Sequence, residues 1–222
     1  MKRFECRALL FDLDGVLVDS TSYIEHQWCR WAILKGLAPE PFLKVCHGRR
    51  AVETIRLAAP ELDAEAEVAT FVRDESDDAI PLVPLSGAVQ LLGTLPPRSW
   101  AVATSGPKAG AVERLVRAGL PVPEVLIGAE DVQHGKPSPD VYLRAAGKLG
   151  VAPADCVVVE DTPPGVEAGR AAGMPVIALI TTHSAEQLAQ ADVRANSLAF
   201  IQVRTMSRHI LEISVQDLED GS

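Results

Sequence analysis

The sequence has no run of basic residues, and its 222 residues carry 21 Lys and Arg against 30 Asp and Glu, a formal net charge of −9. Such a surface repels polyanions, which argues against nucleic acid or an anionic membrane as a partner. No apolar segment reaches the ~18 residues that a spanning helix needs, and the N-terminus lacks the layout of a signal peptide. The four cysteines, Cys6, Cys29, Cys46 and Cys156, show no CxxC or other metal-type spacing. Cys6 and Cys156 lie in apolar, strand-like runs, which reads as buried or free thiols in a reducing compartment. A cytoplasmic protein is expected. Internal repeats and low-complexity linkers are also missing. What is present is a chain with 47% hydrophobic residues, long enough for one sizeable core and an inserted second unit.

The most informative stretch is Leu9 to Ser20, LLFDLDGVLVDS. The run Ala8-Leu9-Leu10-Phe11 has the character of a fully buried strand. It ends on Asp12-Leu13-Asp14-Gly15, so two carboxylates stand at the carboxyl end of a strand, where open α/β sheets bind ligands. Two neighbouring buried carboxylates repel each other and call for a cation, and hard oxygen ligands suit Mg²⁺. Taken alone, the same residues read equally well as a solvated turn.

From Ser20 to about Val83 no strand-like run occurs. Tyr23, Gln27, Trp28, Trp31 and Leu34 recur at helical spacing, with Gly36 as the stop. A short helix is expected within Pro41–Cys46, another around Val52–Leu57, and a third from Glu61 to Ile80. Beyond Pro84 strands and helices alternate. Strands are expected at 100–103, 124–127, 156–159 and 175–179, and helices at 87–95, 108–118, 139–149 and 165–172. Residues 185–189 and 192–194 continue the pattern weakly, and beyond Thr205 it assigns no element. Alternation of this kind implies an α/β fold, a doubly wound, Rossmann-like parallel sheet with an inserted α-helical unit. The expected core is 1–18 with 84–222, and the insert 19–83.

Three of the buried-type strands end on polar groups: Asp12/Asp14, Thr104/Ser105 and Glu160/Asp161. Parallel strands present these ends at one edge, so the groups should converge. Lys136 stands in Gly-Lys-Pro-Ser-Pro, where two prolines stiffen its approach before a helix. Each feature has an ordinary reading as a cap or surface charge. All of them on successive strand ends make an inventory that fits a metal plus a phosphate.

FDLDGVLVDS, AVATSG, GKPSPDVY and VVVEDTPPGVEAGRAAG, in that order, resemble the four signature motifs of the haloacid dehalogenase superfamily, covering Leu9 to about Leu179. An insert between the first two matches the subgroup with a small helical cap. AILKGLAPE, HGRRAVETIR and IPLVPLSGAVQLLGTLPPRSWAVATSG resemble the bacterial and yeast sugar-phosphate phosphatases of the 2-deoxyglucose-6-phosphate and glycerol phosphatase type. The resemblance implies Asp12 as nucleophile and Asp14 as general acid and base, its backbone carbonyl also on Mg²⁺. Asp161, with Glu160, would complete the metal site. Thr104, the Ser105 amide and Lys136 would hold the phosphoryl oxygens. The implied partner is a small phosphorylated sugar or polyol, with the chain taken as a monomer.

Related β-phosphoglucomutases carry a cap-hinge histidine twelve positions after the nucleophile; here Ile24 stands there, and His26, about 200° further round a helix, does not substitute. Asp14 argues against carbon–halogen chemistry, because the founding dehalogenases lack that second aspartate. A catalytically silent binding module is the reading from another class. For substrate choice, His47, Arg49 and Arg50 around Gly48 read equally as donors to sugar hydroxyls or as a solvated helix start.

Overall fold

The computed structural model describes residues 1–71, 80–207 and 210–218. Lys2–Cys6 forms β1 and, after Arg7, Ala8–Phe11 forms β2, whose four side chains are all buried. β2 lies inside a six-stranded sheet with Trp100–Ala103 (β5), Leu126–Ile127 (β6), Cys156–Glu160 (β7), Val176–Leu179 (β8) and Val193–Ala195 (β9). The order is β6-β5-β2-β7-β8-β9, and every pairing is parallel. Phe11 is in register with Val102 on one side and Val159 on the other, so the three strands end level.

Side chains alternate along these strands, and the two faces found two cores. Leu9, Phe11, Val102, Val157 and Ile177 pack on one face with Ala88–Thr94 (α5) and Lys108–Arg117 (α6). Leu10, Ala101, Ala103, Val158 and Val176 pack on the other with Asp140–Leu149 (α7) and Pro163–Ala171 (α8). The doubly wound α/β sheet expected from the sequence is therefore present.

A two-stranded antiparallel ribbon, Val18–Asp19 (β3) with Val83–Pro84 (β4), ties the sheet to the helical segment between them. That segment holds Thr21–Leu34 (α1), Glu40–Leu43 (α2), Ala51–Ala58 (α3) and Ala64–Phe71 (α4). It has its own core, in which Trp28 stacks on Phe42 at 5.6 Å and meets Trp31 edge-on at 5.7 Å. The part of the third expected helix over 72–79 lies outside the described residues.

Four sequence expectations are corrected. Strands do occur near the C-terminal end, where no element was assigned beyond Thr205: Ile201–Ser207 (β10) and Ile210–Val215 (β11) make a second, antiparallel sheet of order β1-β11-β10. The signal was the alternation of Leu211, Ile213 and Val215, which are buried. Residues 185–189, expected to continue the strand–helix alternation weakly, are turns. β6 starts at Leu126 rather than 124. α8 starts at Pro163, two residues early, because the Thr162 side chain accepts from the Gly165 N–H and Pro163 needs no donor partner.

The four cysteines form no disulfide, and burial pushes the Cys6 and Cys46 thiols up to about 12. Among the described residues no helix is long and apolar enough to cross a membrane.

α8 approaches the sheet through Gly169, where a Cβ would fall 2.7 Å from Val176 Cγ2 and 3.3 Å from Val158. Gly147 on α7 has nothing within 4 Å of such an atom. Urea denaturation of two variants checks this packing. Gly169→Leu should destabilise by about 1–3 kcal/mol through overpacking. Gly147→Ala should stabilise by about 0.4–1 kcal/mol by restricting the unfolded chain.

Candidate active site

Because β2, β5 and β7 end level, the residues that follow them meet at one edge of the sheet. Lys136 arrives from the loop before α7, fully enclosed. Its Nζ donates to Asp12 Oδ1 at 2.7 Å and to Glu160 Oε1 at 2.5 Å. Burial alone would lower the Lys136 pKa, but Asp12 and then Glu160 more than offset it, so the ammonium titrates above its ordinary value. It is a cation throughout the physiological range.

Glu160 is saturated. Its Oε1 also accepts from Tyr142 Oη at 2.7 Å, and its Oε2 accepts from the Asp161 N–H (2.9 Å), the Thr162 N–H (3.1 Å) and Thr162 Oγ1 (3.1 Å). Burial opposes its ionisation, but Lys136 and these donors keep it below the usual carboxylate range. No side chain fits at Gly165, where a Cβ would fall 1.8 Å from Glu160 Oε1.

Asp12 and Asp161 are different. Burial, opposed by Lys136 and reinforced by Glu160 and Asp14, pushes the Asp12 carboxyl up to about 7. Burial, then the charges of Glu160 and Asp12, raises Asp161 well above its ordinary value. Asp161 Oδ2 accepts from Thr182 Oγ1 at 2.5 Å, whereas Oδ1 is buried with no hydrogen bond. Carboxylate oxygens of Asp12, Glu160 and Asp161 all lie within 4.8 Å of one another. Two neighbouring buried acids whose ionisation burial opposes, one of them with an unbonded oxygen, fit a hard divalent cation bound by oxygen.

Asp14 stands apart from this cluster, beside the ribbon. Its Oδ1 accepts from Ser20 Oγ at 2.7 Å and lies 2.9 Å from Arg114 Nε. Thr104 Oγ1 accepts from the Gly106 N–H at 3.1 Å, and Ser105 Oγ donates to the Gly48 carbonyl at 2.9 Å, touching the helical segment. Gly48 has φ +76°, and a Cβ there would meet Thr162 Oγ1 at 2.4 Å, so glycine lets its loop press onto the sheet edge.

Between the sheet edge and the helical segment lies a cavity of about 470 Å³. Asp12, Asp14, Thr104, Ser105 and Asp161 line one side. His47, Arg49 and Arg50 reach it from the other, with Ile24 and Trp28 supplying apolar wall. Arg50 is committed elsewhere: it pairs with Glu53 at 2.6 Å and donates to the Val132 and Gln133 carbonyls, both at 3.2 Å. Glu53 in turn accepts from the Gly135 N–H at 3.0 Å. This pair fastens α3 to the loop that carries Lys136. His47 is paired with Glu25 at 3.4 Å, and Arg49 Nη1 donates to the Val45 carbonyl at 3.4 Å.

The sequence reading missed Arg114, Tyr142, Thr182 and Glu53. Three carried a signal. Arg114 sits on the buried face of α6 with Ala111 and Leu115, and Tyr142 on that of α7 with Val141 and Ala145. A charge or hydroxyl on the apolar face of an amphipathic helix calls for a partner. Glu53 carried a local one, as the acid three residues after the Arg50 cap of α3, whereas the partner of Thr182 is set by a loop path.

Residues 6–173 match the family of hydrolases described as haloacid dehalogenase-like, and the chain belongs to it. It is 43% identical over 203 residues to hexitol phosphatase A of Escherichia coli strain K12, covering 89% of this chain and 94% of that protein. It is 34% identical to glycerol-1-phosphate phosphohydrolase 2 of Saccharomyces cerevisiae, covering 79% and 75%. Among solved structures, a hydrolase from Pseudomonas syringae superposes with a TM-score of 0.77 at 25% identity, covering 86% of this chain and 94% of that one. Family and relatives together make this a phosphoric monoester hydrolase.

Lys136→Met tests the buried triad. It leaves two carboxylates without their cation and should cost about 3–5 kcal/mol. Asp12, already raised, would rise further, and Glu160 would lose the charge that most holds it down, so with both folded values moved upward stability is lost as pH rises from about 4 through them. Urea denaturation in EDTA should therefore show a larger deficit relative to wild type at pH 8 than at pH 5. An equal deficit at both would mean that the carboxylates do not depend on Lys136.

Proposed function

We propose that the chain is an Mg²⁺-dependent phosphatase that hydrolyses a small sugar or polyol phosphate through a phosphorylated Asp12. The observation that carries this reading is Asp12 held 2.7 Å from the Lys136 ammonium, with Asp161 and its orphaned Oδ1 nearby and both acids lining one cavity. The names of the relatives support the substrate class.

Asp12 attacks phosphorus in line, and Lys136 keeps it ionised and aimed. Asp14, two residues on, protonates the departing alkoxide and then takes a proton from the water that cleaves the acyl phosphate. Thr104, the Ser105 amide and Lys136 take the phosphoryl oxygens. Asp12, Asp161 and the Asp14 carbonyl would hold Mg²⁺, with Glu160 contributing by fixing Lys136 and the Asp161–Thr162 backbone. The ion would supply the charge neutralisation that a phosphoryl group needs beside so many carboxylates. Residues 19–83 act as a cap, with Val18–Asp19 and Val83–Pro84 as its hinge, and Ser20 links that hinge to Asp14. His47 and Arg49 face the sugar. Ile24, on the cavity wall where mutases carry a histidine, offers no proton donor to the substrate.

Phosphate release from a panel of hexose, hexitol and glycerol phosphates should require Mg²⁺ and fall by roughly 10³-fold or more in Asp12→Asn. Conversion of β-glucose 1-phosphate to its 6-phosphate without net release would replace the phosphatase with a mutase. Because Asp12 titrates near 7 without metal, Mg²⁺ must displace a proton below that pH. Calorimetry at pH 6.5 in buffers of different ionisation enthalpy should show proton release on Mg²⁺ binding, with affinity rising towards pH 8. A pH-independent affinity would count against Asp12 as a ligand.

A further inference from the structure

We propose that Arg114 is a substrate-binding residue that grips the hydroxyls next to the phosphoester and so selects polyol phosphates over plain alkyl phosphates. The inference rests on the phosphatase reading and deepens it.

Arg114 is 4% exposed and lies on the cavity wall beside Asp14 and Gly106. Its Nε is 2.9 Å from Asp14 Oδ1, but the N–H is not aimed at that oxygen, and Nε has no hydrogen bond. Among the described residues, no oxygen accepts a hydrogen bond from any nitrogen of this guanidinium. A guanidinium carries five N–H donors, and leaving them unmade in a buried site is costly. Gly106 leaves the group room: a Cβ there would fall 2.6 Å from Nη2. The fork is held open at the cavity, lacking only acceptors.

Position decides what those acceptors are. The phosphoryl oxygens fall to Lys136 and Thr104, and the ester oxygen to Asp14. Arg114 stands beside Asp14, with its Nη2 against Gly106 and near Thr104, so beyond the ester oxygen it can meet the next atoms along the substrate. In a sugar or polyol phosphate these carbons bear vicinal hydroxyls, which a planar fork can take as a pair. Asp14 already balances the Arg114 charge, which favours neutral hydroxyls over a second carboxylate.

Glycerol 1-phosphate and n-propyl phosphate differ only in two hydroxyls. Wild type should prefer glycerol 1-phosphate by about 100-fold or more in kcat/KM, since a site built to bind hydroxyls rejects an analogue without them. Arg114→Met should bring that ratio below about 10. Gly106→Ala, which crowds Nη2 but keeps the charge, should lower it too, and serves if Arg114→Met does not fold. An unchanged ratio with both substrates slowed equally would mean that Arg114 only positions Asp14, and would overturn the proposal. So would a preference for 2-phosphoglycolate over ethyl phosphate that Arg114→Met abolishes, which would assign the fork to a carboxylate. If wild type hydrolyses p-nitrophenyl phosphate yet ignores the hydroxyls, the phosphatase stands and the proposal falls. If no phosphomonoester is hydrolysed with Mg²⁺, both fall.

Discussion

The Lys136 ammonium, enclosed between Asp12 and Glu160, is the constraint on which the site depends. A buried cation without partners would lose its proton, and two buried carboxylates without a cation would gain one. Together they can be ionised, but only if the strand ends and the Lys136 loop are held to within hydrogen-bond distance. The flush ends of β2 and β7, the enclosed Tyr142 and the glycine at 165 all serve that geometry. The arrangement still carries an excess of acid. Asp12 near 7 and Asp161 raised above its usual range are the electrostatic mark of a site prepared for a cation.

The helical segment touches this machinery at few points, and each has a distinct job. Arg50 and Glu53 grip the loop that carries Lys136. Gly48 presses on Thr162 and receives the Ser105 hydroxyl. Ser20, at the ribbon, holds Asp14. These contacts are polar, while the segment's own core of Trp28, Trp31, Phe42 and Phe71 is apolar and meets the sheet's core through Tyr23 and Ile24. Arg114 stands where the two halves meet.

Much of this was legible in the chain. The runs Ala8–Phe11, Trp100–Ala103 and Cys156–Val159 are apolar on both sides because a parallel sheet covers both faces, and their polar ends had to converge. Asp12, Asp14, Thr104, Lys136, Glu160 and Asp161 could therefore be named. The last strands were missed because an antiparallel sheet's alternation is faint over six residues, and β11 finds β1 across almost the whole chain.

Local hydrophobic pattern and the residues that end each strand were enough to place the parallel strands along the chain, the helical segment and the chemical inventory at the sheet edge. How that inventory is divided depends on the folded contacts. They made Glu160 a saturated brace rather than a carboxylate with free oxygens, tied Arg50 to core carbonyls, and left Arg114 open. A polar side chain's role is set by the partners within about 3 Å of it, and some of the deciding ones are remote in sequence: Lys136 lies 24 residues from Glu160 and 124 from Asp12, and Arg50 lies 82 and 83 from the Val132 and Gln133 carbonyls.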